Sequence, residues 1–277
     1  MKLSSLAFIF IFASASALAQ SNTLGTSTTT LSQSWGKLVE RIDMKYRTIF
    51  GVSSFQEDEN DFEGKIDYDE APKGRMLNDL EIGMDLSKKM SASLVGVWSI
   101  QPKQDEMNQV EALDPYAKLS YDGIIEVGNF EISTDLRVGA PVSRESKEQK
   151  KVATIGSEQE IEYQFGKSRF SMEMELYLQY NVHSEETAYV DFEVRYEPAL
   201  LYDISDRLFG RMSYESEMYH ERHSALSLID NRDPVIQTGI GWNVDKKFMV
   251  MPFVDSPVNE PSSKKLFFGA QLAWAML

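Results

Sequence analysis

Phe170-Ser171-Met172-Glu173-Met174-Glu175-Leu176-Tyr177-Leu178 decides the fold of this chain. Apolar side chains stand at 170, 172, 174, 176 and 178, with Ser, Glu, Glu and Tyr between them. An extended chain turns successive side chains to opposite faces, so this stretch makes a strand with one apolar and one largely ionised face. On a helix the same five apolar residues would spread round the cylinder and leave no stripe.

Working outward, the same alternation recurs about twelve times between Leu38 and Leu277. Ile42, Met44, Tyr46 and Thr48 alternate with Arg41, Asp43, Lys45 and Arg47. Leu80, Ile82 and Met84 alternate with Asp79, Glu81 and Asp85. Ala117, Leu119 and Tyr121 flank Lys118 and Ser120, and the Asp122-Gly123 pair reads as the hairpin turn that ends this strand. Phe130, Ile132 and Leu136 then oppose Glu131, Asp135 and Arg137. Ile161, Tyr163 and Phe165 oppose Glu158, Glu160 and Glu162. Val190, Phe192, Val194 and Tyr196 oppose Asp191, Glu193 and Arg195, and Met212 and Tyr214 oppose Arg211, Ser213 and Glu215. Three further strands carry Ile236–Trp242, Phe248–Val254 and Leu266–Met276.

The breaks between strands alternate as well. Long polar ones lie near 51–74, 101–113, 139–153, 181–187, 219–233 and 255–263. Short ones lie near 87–89, 122–123, 166–168, 201–206 and 244–246. Transmembrane barrels put tight turns on the periplasmic side and longer loops outside. Strands of about 10–14 residues exceed the usual soluble length and suit a tilted crossing of a bilayer. Tyr46, Phe50, Trp98, Tyr121, Phe165, Phe170, Tyr196, Trp242, Phe248 and Trp274 sit near strand ends on the apolar phase, where interfacial girdles belong. A soluble sandwich also alternates, but its strands are shorter. The expected fold is all-β: an antiparallel up-and-down transmembrane barrel of about twelve strands over 38–277.

The front end reads separately. Met1-Lys2, an apolar run from Leu6 to Leu18 and an Ala17-Leu18-Ala19 site predict a cleaved export signal over 1–19. Residues 20–37, rich in Ser and Thr, are expected to form a flexible periplasmic lead-in. No segment is long and apolar enough for a spanning helix, which excludes a helical inner-membrane protein. With no cysteine, neither disulfides nor thiolate metal sites contribute. The net charge of −15 argues against nucleic-acid binding. A mean hydropathy of −0.33 is compatible with embedding, because only alternate residues face lipid.

Over nearly its whole length after the signal, the chain resembles Gram-negative outer-membrane β-barrel proteins. The resemblance rests on the strand and break rhythm and on no family motif. Such proteins usually end in an aromatic residue; here Leu277 is last and the apolar phase ends at Met276. The resemblance implies residence in the outer membrane, with lipid and lipopolysaccharide as neighbours. It leaves the oligomeric state open.

With apolar positions facing lipid, the ionised phase faces inward. The candidate pore-lining residues are Arg41, Asp43, Lys45, Arg47, Asp79, Glu81, Glu131, Asp135, Glu160, Glu162, Glu173, Glu175, Asp191, Glu193, Arg195, Arg211 and Glu215. Acids concentrate on strands six to eight; bases collect on strand one and, as Arg195, Arg207 and Arg211, on strands eight and nine. In a closed ring, strand one lies opposite strands six and seven, so opposed walls of opposite sign make a transverse field. The expected function is passive passage of small polar solutes or ions with a mild cation preference and no cofactor. The alternative is a structural or adhesive barrel with a blocked lumen and partner-binding loops.

A third reading is a lipid hydrolase, because twelve-stranded barrels include an outer-membrane phospholipase family. That family places His and Ser two apart on one strand face. Here His183-Ser184 and His223-Ser224 are adjacent and all three histidines, with His220, are expected in extracellular loops. The spacing is wrong, and no enzymatic activity is expected. Residues 57–70 are acidic, and Glu59, Asp61, Glu63, Asp67 and Glu70 align with calcium-loop positions. Glu stands where the shorter Asp is wanted, so this is a weak metal candidate and a solvated acidic loop is the expectation.

Overall fold

The computed structural model describes residues 42–53, 75–101, 109–184, 190–221, 229–230, 234–259 and 266–276. The expected export signal, the expected lead-in segment, Arg41, His223 and the acidic stretch with Glu59, Asp61, Glu63, Asp67 and Glu70 lie outside the described residues. In chain order the elements are β1 (Ile42–Ser53), β2 (Arg75–Asp85), β3 (Met90–Gln101), β4 (Gln109–Ala112), β5 (Tyr116–Val127) and β6 (Phe130–Gly139). The helix α1 (Arg144–Glu148), β7 (Lys151–Gln164), β8 (Phe170–His183), β9 (Val190–Asp203) and β10 (Leu208–Glu221) follow. β11 (Ile229–Asp230), β12 (Val235–Asn243), β13 (Phe248–Pro257) and β14 (Phe267–Ala275) complete the chain.

Twelve of these strands close a ring of antiparallel neighbours. β14 pairs with β1, and from there the order runs β1-β2-β3-β5-β6-β7-β8-β9-β10-β12-β13-β14. The short β4 and β11 pair only with β3 and β10, and extend their hairpins at the long-loop end. Closure leaves no open sheet edge, which a barrel in hydrocarbon requires. Among the described residues no helix is long and apolar enough to cross a membrane.

Burial follows the sequence alternation in reverse of a soluble protein. Large apolar side chains such as Ile82, Leu94, Leu136, Ile155, Met212, Ile240 and Phe268 are exposed, whereas ionised side chains on the other phase are largely covered. An outer wall of this kind belongs against lipid. Aromatics gather on it near the short turns: Phe170 and Tyr202 pair across β8 and β9 with ring centroids 4.7 Å apart, and Tyr163 meets Phe165 edge-on at 5.0 Å.

Three of the tight turns share one local solution. In Leu86–Lys89, Ile204–Arg207 and Val244–Lys247 the first N–H donates to the carbonyl of the residue four further on, at 2.8–2.9 Å. Ser87, Ser205 or Asp245 stands second and its side-chain oxygen accepts a backbone N–H within the turn or at the start of the next strand. Short polar side chains favour turns through such bonds.

The expected hairpin at Asp122-Gly123 is corrected. β5 runs on to Val127, and the turn is Gly128-Asn129, with Val127 opposite Phe130. Gly128 sits at φ 64, the left-handed conformation that two-residue hairpins demand. Asp122-Gly123 instead forms a bulge: Tyr121 opposes Thr134 and Ile125 opposes Ile132, so β5 spends two more residues there than β6. Gly123, at φ 58, donates its N–H to Ser133 Oγ at 3.0 Å. Both Gly dipeptides carry turn chemistry; register with β6 chose between them.

The 139–153 break is also shorter than its polarity suggests. β7 begins at Lys151, and α1 folds within the loop. Asp114, just ahead of β5, accepts the N–H groups of Val142 and Ser143, each at 2.7 Å, and the Ser146 hydroxyl. One carboxylate thus ties this loop to the barrel rim.

Candidate functional site

The lumen is the candidate site, and cross-strand register builds it. Arg47 on β1 bonds Asp79 on β2 at 2.7 Å. Glu81 on β2 meets Lys118 on β5 at 2.9 Å, and Lys118 approaches Asp135 on β6 at 3.7 Å. Arg137 lies 3.5 Å from Asp135 and is paired with Glu158 on β7. These are one ion pair between β1 and β2 and a separate ladder of alternating sign, Glu81–Lys118–Asp135–Arg137–Glu158, that runs from β2 to β7 and bridges over the uncharged inner face of β3. The Arg137 guanidinium also stands 5.1 and 5.5 Å from the ring centres of Tyr116 and Tyr177, and Arg195 lies 5.2 Å from that of Tyr177. A cavity of about 200 Å³ opens beside them, lined by Asp114, Tyr116, Arg137, Lys151, Tyr177 and Gln179.

Below the ladder, toward the short turns, compensation fails. Glu126 faces Glu131, Glu131 faces Glu162, and Glu162 faces Glu173, making one row across β5 to β8. Glu160 faces Glu175, and Glu175 faces Glu197, making a second. Like charges directly opposite on a sheet repel. Lys89 reaches Glu126 at 2.8 Å and Arg211 reaches Glu197 at 3.0 Å, both at the margins of the band. The inner four, Glu160, Glu162, Glu173 and Glu175, have no ion pair within salt-bridge distance among the described residues.

The structure distributes the other candidates unevenly. Lys45 and Asp43 pair with each other at 3.0 Å at the start of β1, largely in solvent. Asp191 holds His220 Nδ1 at 2.6 Å near the long-loop end. Glu193 and Glu215 lie on inward-facing positions of β9 and β10. Arg207 is a correction: it sits in the Ile204–Arg207 turn, not on the lumen wall. His183 and His220 are corrected too, since they fall within β8 and β10 rather than in loops. The His183 ring nitrogens lie 2.8 Å from the Gln149 carbonyl and 3.1 Å from that of Val190. Among the described residues no three His, Asp or Glu side chains are grouped to hold a metal.

The sequence reading missed the wall opposite the carboxylates. The inner faces of β12, β13 and β14 carry Met249, Met251, Phe253 and Phe267 among glycines, with Asp255 as their one acid. Met251 and Phe253 are 4% and 6% exposed. The far ends of phenyl rings stand over strand glycines: Phe209 over Gly241, Phe253 over Gly269, Phe267 over Gly51. A Cβ at any of these glycines would stand 1.7–2.2 Å from a ring carbon. An aromatic ring laid over a strand glycine shields its backbone and fills the space a side chain would have taken. The signal was present as Gly239, Gly241 and Gly269 on the phase opposite Ile240, Trp242 and Phe268.

No protein-family model matches the chain, and no curated protein sequence does. Solved structures do match in shape. The COG4313 outer membrane channel from Pseudomonas putida F1 superposes with a TM-score of 0.57 at 5% identity, over 85% of this chain and 96% of that one. The KdgM porin aligns over 84% of this chain and 99% of its own, at 9% identity and a TM-score of 0.49. The closed twelve-strand ring, the lipid-type outer wall and this likeness agree: the chain has the fold of the porin-like outer-membrane β-barrels.

Proposed function

We propose that this protein is an outer-membrane channel for the passive passage of small polar solutes or ions, with a modest preference for cations. The observation that carries the reading is the band of facing carboxylates on β6 to β9. A sheet gives up stability when it sets like charges opposite one another, and a purely structural lumen has no use for that cost. In a narrow passage with low-dielectric walls such a band raises the local concentration of cations and repels anions. Lipid surrounds the outer wall and lipopolysaccharide the long loops. The similar structure from Pseudomonas putida F1 is an outer membrane channel.

Refolded protein in a planar bilayer tests this. A steady conductance is expected, with a reversal potential in a potassium chloride gradient displaced toward cation selectivity. No conductance, or anion selectivity, overturns the proposal. A second reading has its own support: Met251 and Phe253 are almost fully covered on the inner wall, as in a filled lumen. A blocked barrel of that kind would bind partners through its loops. It would stay silent in the bilayer, and deleting 54–74 would abolish binding without altering permeability.

A further inference from the structure

The outer wall contains a groove of about 370 Å³ lined by Met90, Leu119, Tyr121, Ile124, Thr134 and Leu136. The β5 bulge makes it. Two extra residues at Asp122–Ile124 push β5 out of register with β6, leaving a furrow where a regular sheet would be flush. The lining is on the lipid-facing phase: Tyr121, Ile124 and Leu136 are all exposed. The groove lies in the half of the wall nearer the short turns, since Met90 follows the Leu86–Lys89 turn directly. Lys88 and Lys89 are exposed at that end, and Lys89 Nζ donates to the Gly123 carbonyl at 3.0 Å, on the rim of the furrow.

We propose that this groove holds one acyl chain of a phospholipid from the periplasmic leaflet, with its phosphate near Lys88. The inference rests on the outer-membrane reading above. An apolar furrow in a wall bathed by hydrocarbon is complementary to a flexible chain. A protein partner would need flatter contact or polar groups to meet. The polar side chains nearby satisfy one another instead: Thr134 Oγ1 donates to the Glu158 carbonyl at 3.2 Å, while Gln159 Nε2 donates to Thr134 Oγ1 and Ser157 Oγ at 3.2 and 3.0 Å. Lys89 is held by Glu126 at 2.8 Å, so Lys88, exposed in the turn that Met90 follows, supplies the charge an anionic headgroup pairs with.

The test uses spin-labelled phosphatidylglycerol in proteoliposomes, reading the motionally restricted fraction by electron paramagnetic resonance. Wild type should restrict about one lipid per barrel beyond the annular background of Leu136→Trp, which fills the furrow. Ile240→Trp, on the lipid-facing phase of β12, should behave as wild type, and Lys88→Glu should weaken restriction of phosphatidylglycerol more than of phosphatidylcholine. Folding of each variant is checked by its shifted gel mobility before heating. Equal restricted fractions in wild type and Leu136→Trp overturn the proposal, as does a barrel dimer that disappears with Leu136→Trp, which would name a second copy as the occupant. Failure of wild type to insert into liposomes at all fails the outer-membrane reading instead.

Discussion

The two walls of the lumen are built on opposite principles. From β5 to β10 the inner face is ionised, holding an ion-pair ladder above and a carboxylate band below. From β12 to β14 it is largely glycine, alanine, methionine and phenylalanine, with Gln237 and Gln271 among them and rings standing over backbone. Both alternate with an apolar outer phase, so both satisfy the same membrane constraint. The outer phase answers to lipid and leaves little choice. The inner phase is free of that demand, and the two walls differ there. Long charged side chains line one side, while phenyl rings stand over strand glycines on the other.

The comparison breaks most easily at the carboxylate band. Glu162→Lys with Glu173→Lys puts two cations into the middle of the Glu131–Glu162–Glu173 row. The reversal potential in a salt gradient is expected to change sign, whereas Gln271→Lys on the opposite wall should shift it less. Equal shifts would mean that the wall's identity does not matter.

The ring-on-glycine wall is tested by stability. Gly269→Val forces a side chain into the Phe253 ring, and Gly241→Val into the Phe209 ring. Each is expected to cost about 1–3 kcal/mol by overpacking, read as a lower urea midpoint of the refolded barrel in detergent micelles. Gly96→Val is the control, because a Cβ there meets nothing within 4 Å.

A smaller effect is expected from Arg137→Met, which leaves Asp135 and Glu158 without their guanidinium. These side chains are about one-fifth exposed, so solvent discounts the loss to about 1–2 kcal/mol. Cation selectivity should rise at the same time, since net negative charge in the lumen increases. An unchanged reversal potential would place the ladder outside the conducting path. The smallest effect belongs to Lys45→Ala. Its pair with Asp43 is well exposed at 58% and 37%, and its removal should change the urea midpoint by less than about 0.5 kcal/mol equivalent.

Strand count, face assignment and the break rhythm were legible from residues such as 170–178, because period-2 alternation is a local property that survives into any sheet. That Asp79, Glu81, Asp135, Glu160 and Glu175 share the phase opposite the exposed apolar residues followed from the same parity. The bulge at Asp122-Gly123 was not legible, since it competes with Gly128-Asn129 and only pairing with β6 separates them. The apolar inner wall was passed over because Met249, Met251 and Phe253 stand next to the apolar residues of the outer phase. A strand apolar on both phases carries no alternation to read.

By itself, then, the order of residues determined that this chain forms a barrel of about twelve strands with a greasy exterior, because facing lipid or water is a constraint each residue meets separately. Only tertiary structure decided which carboxylates confront each other, which arginine neutralises which acid, and which rings lie on which glycines. Those are properties of register between strands distant in sequence, fixed when the ring closes.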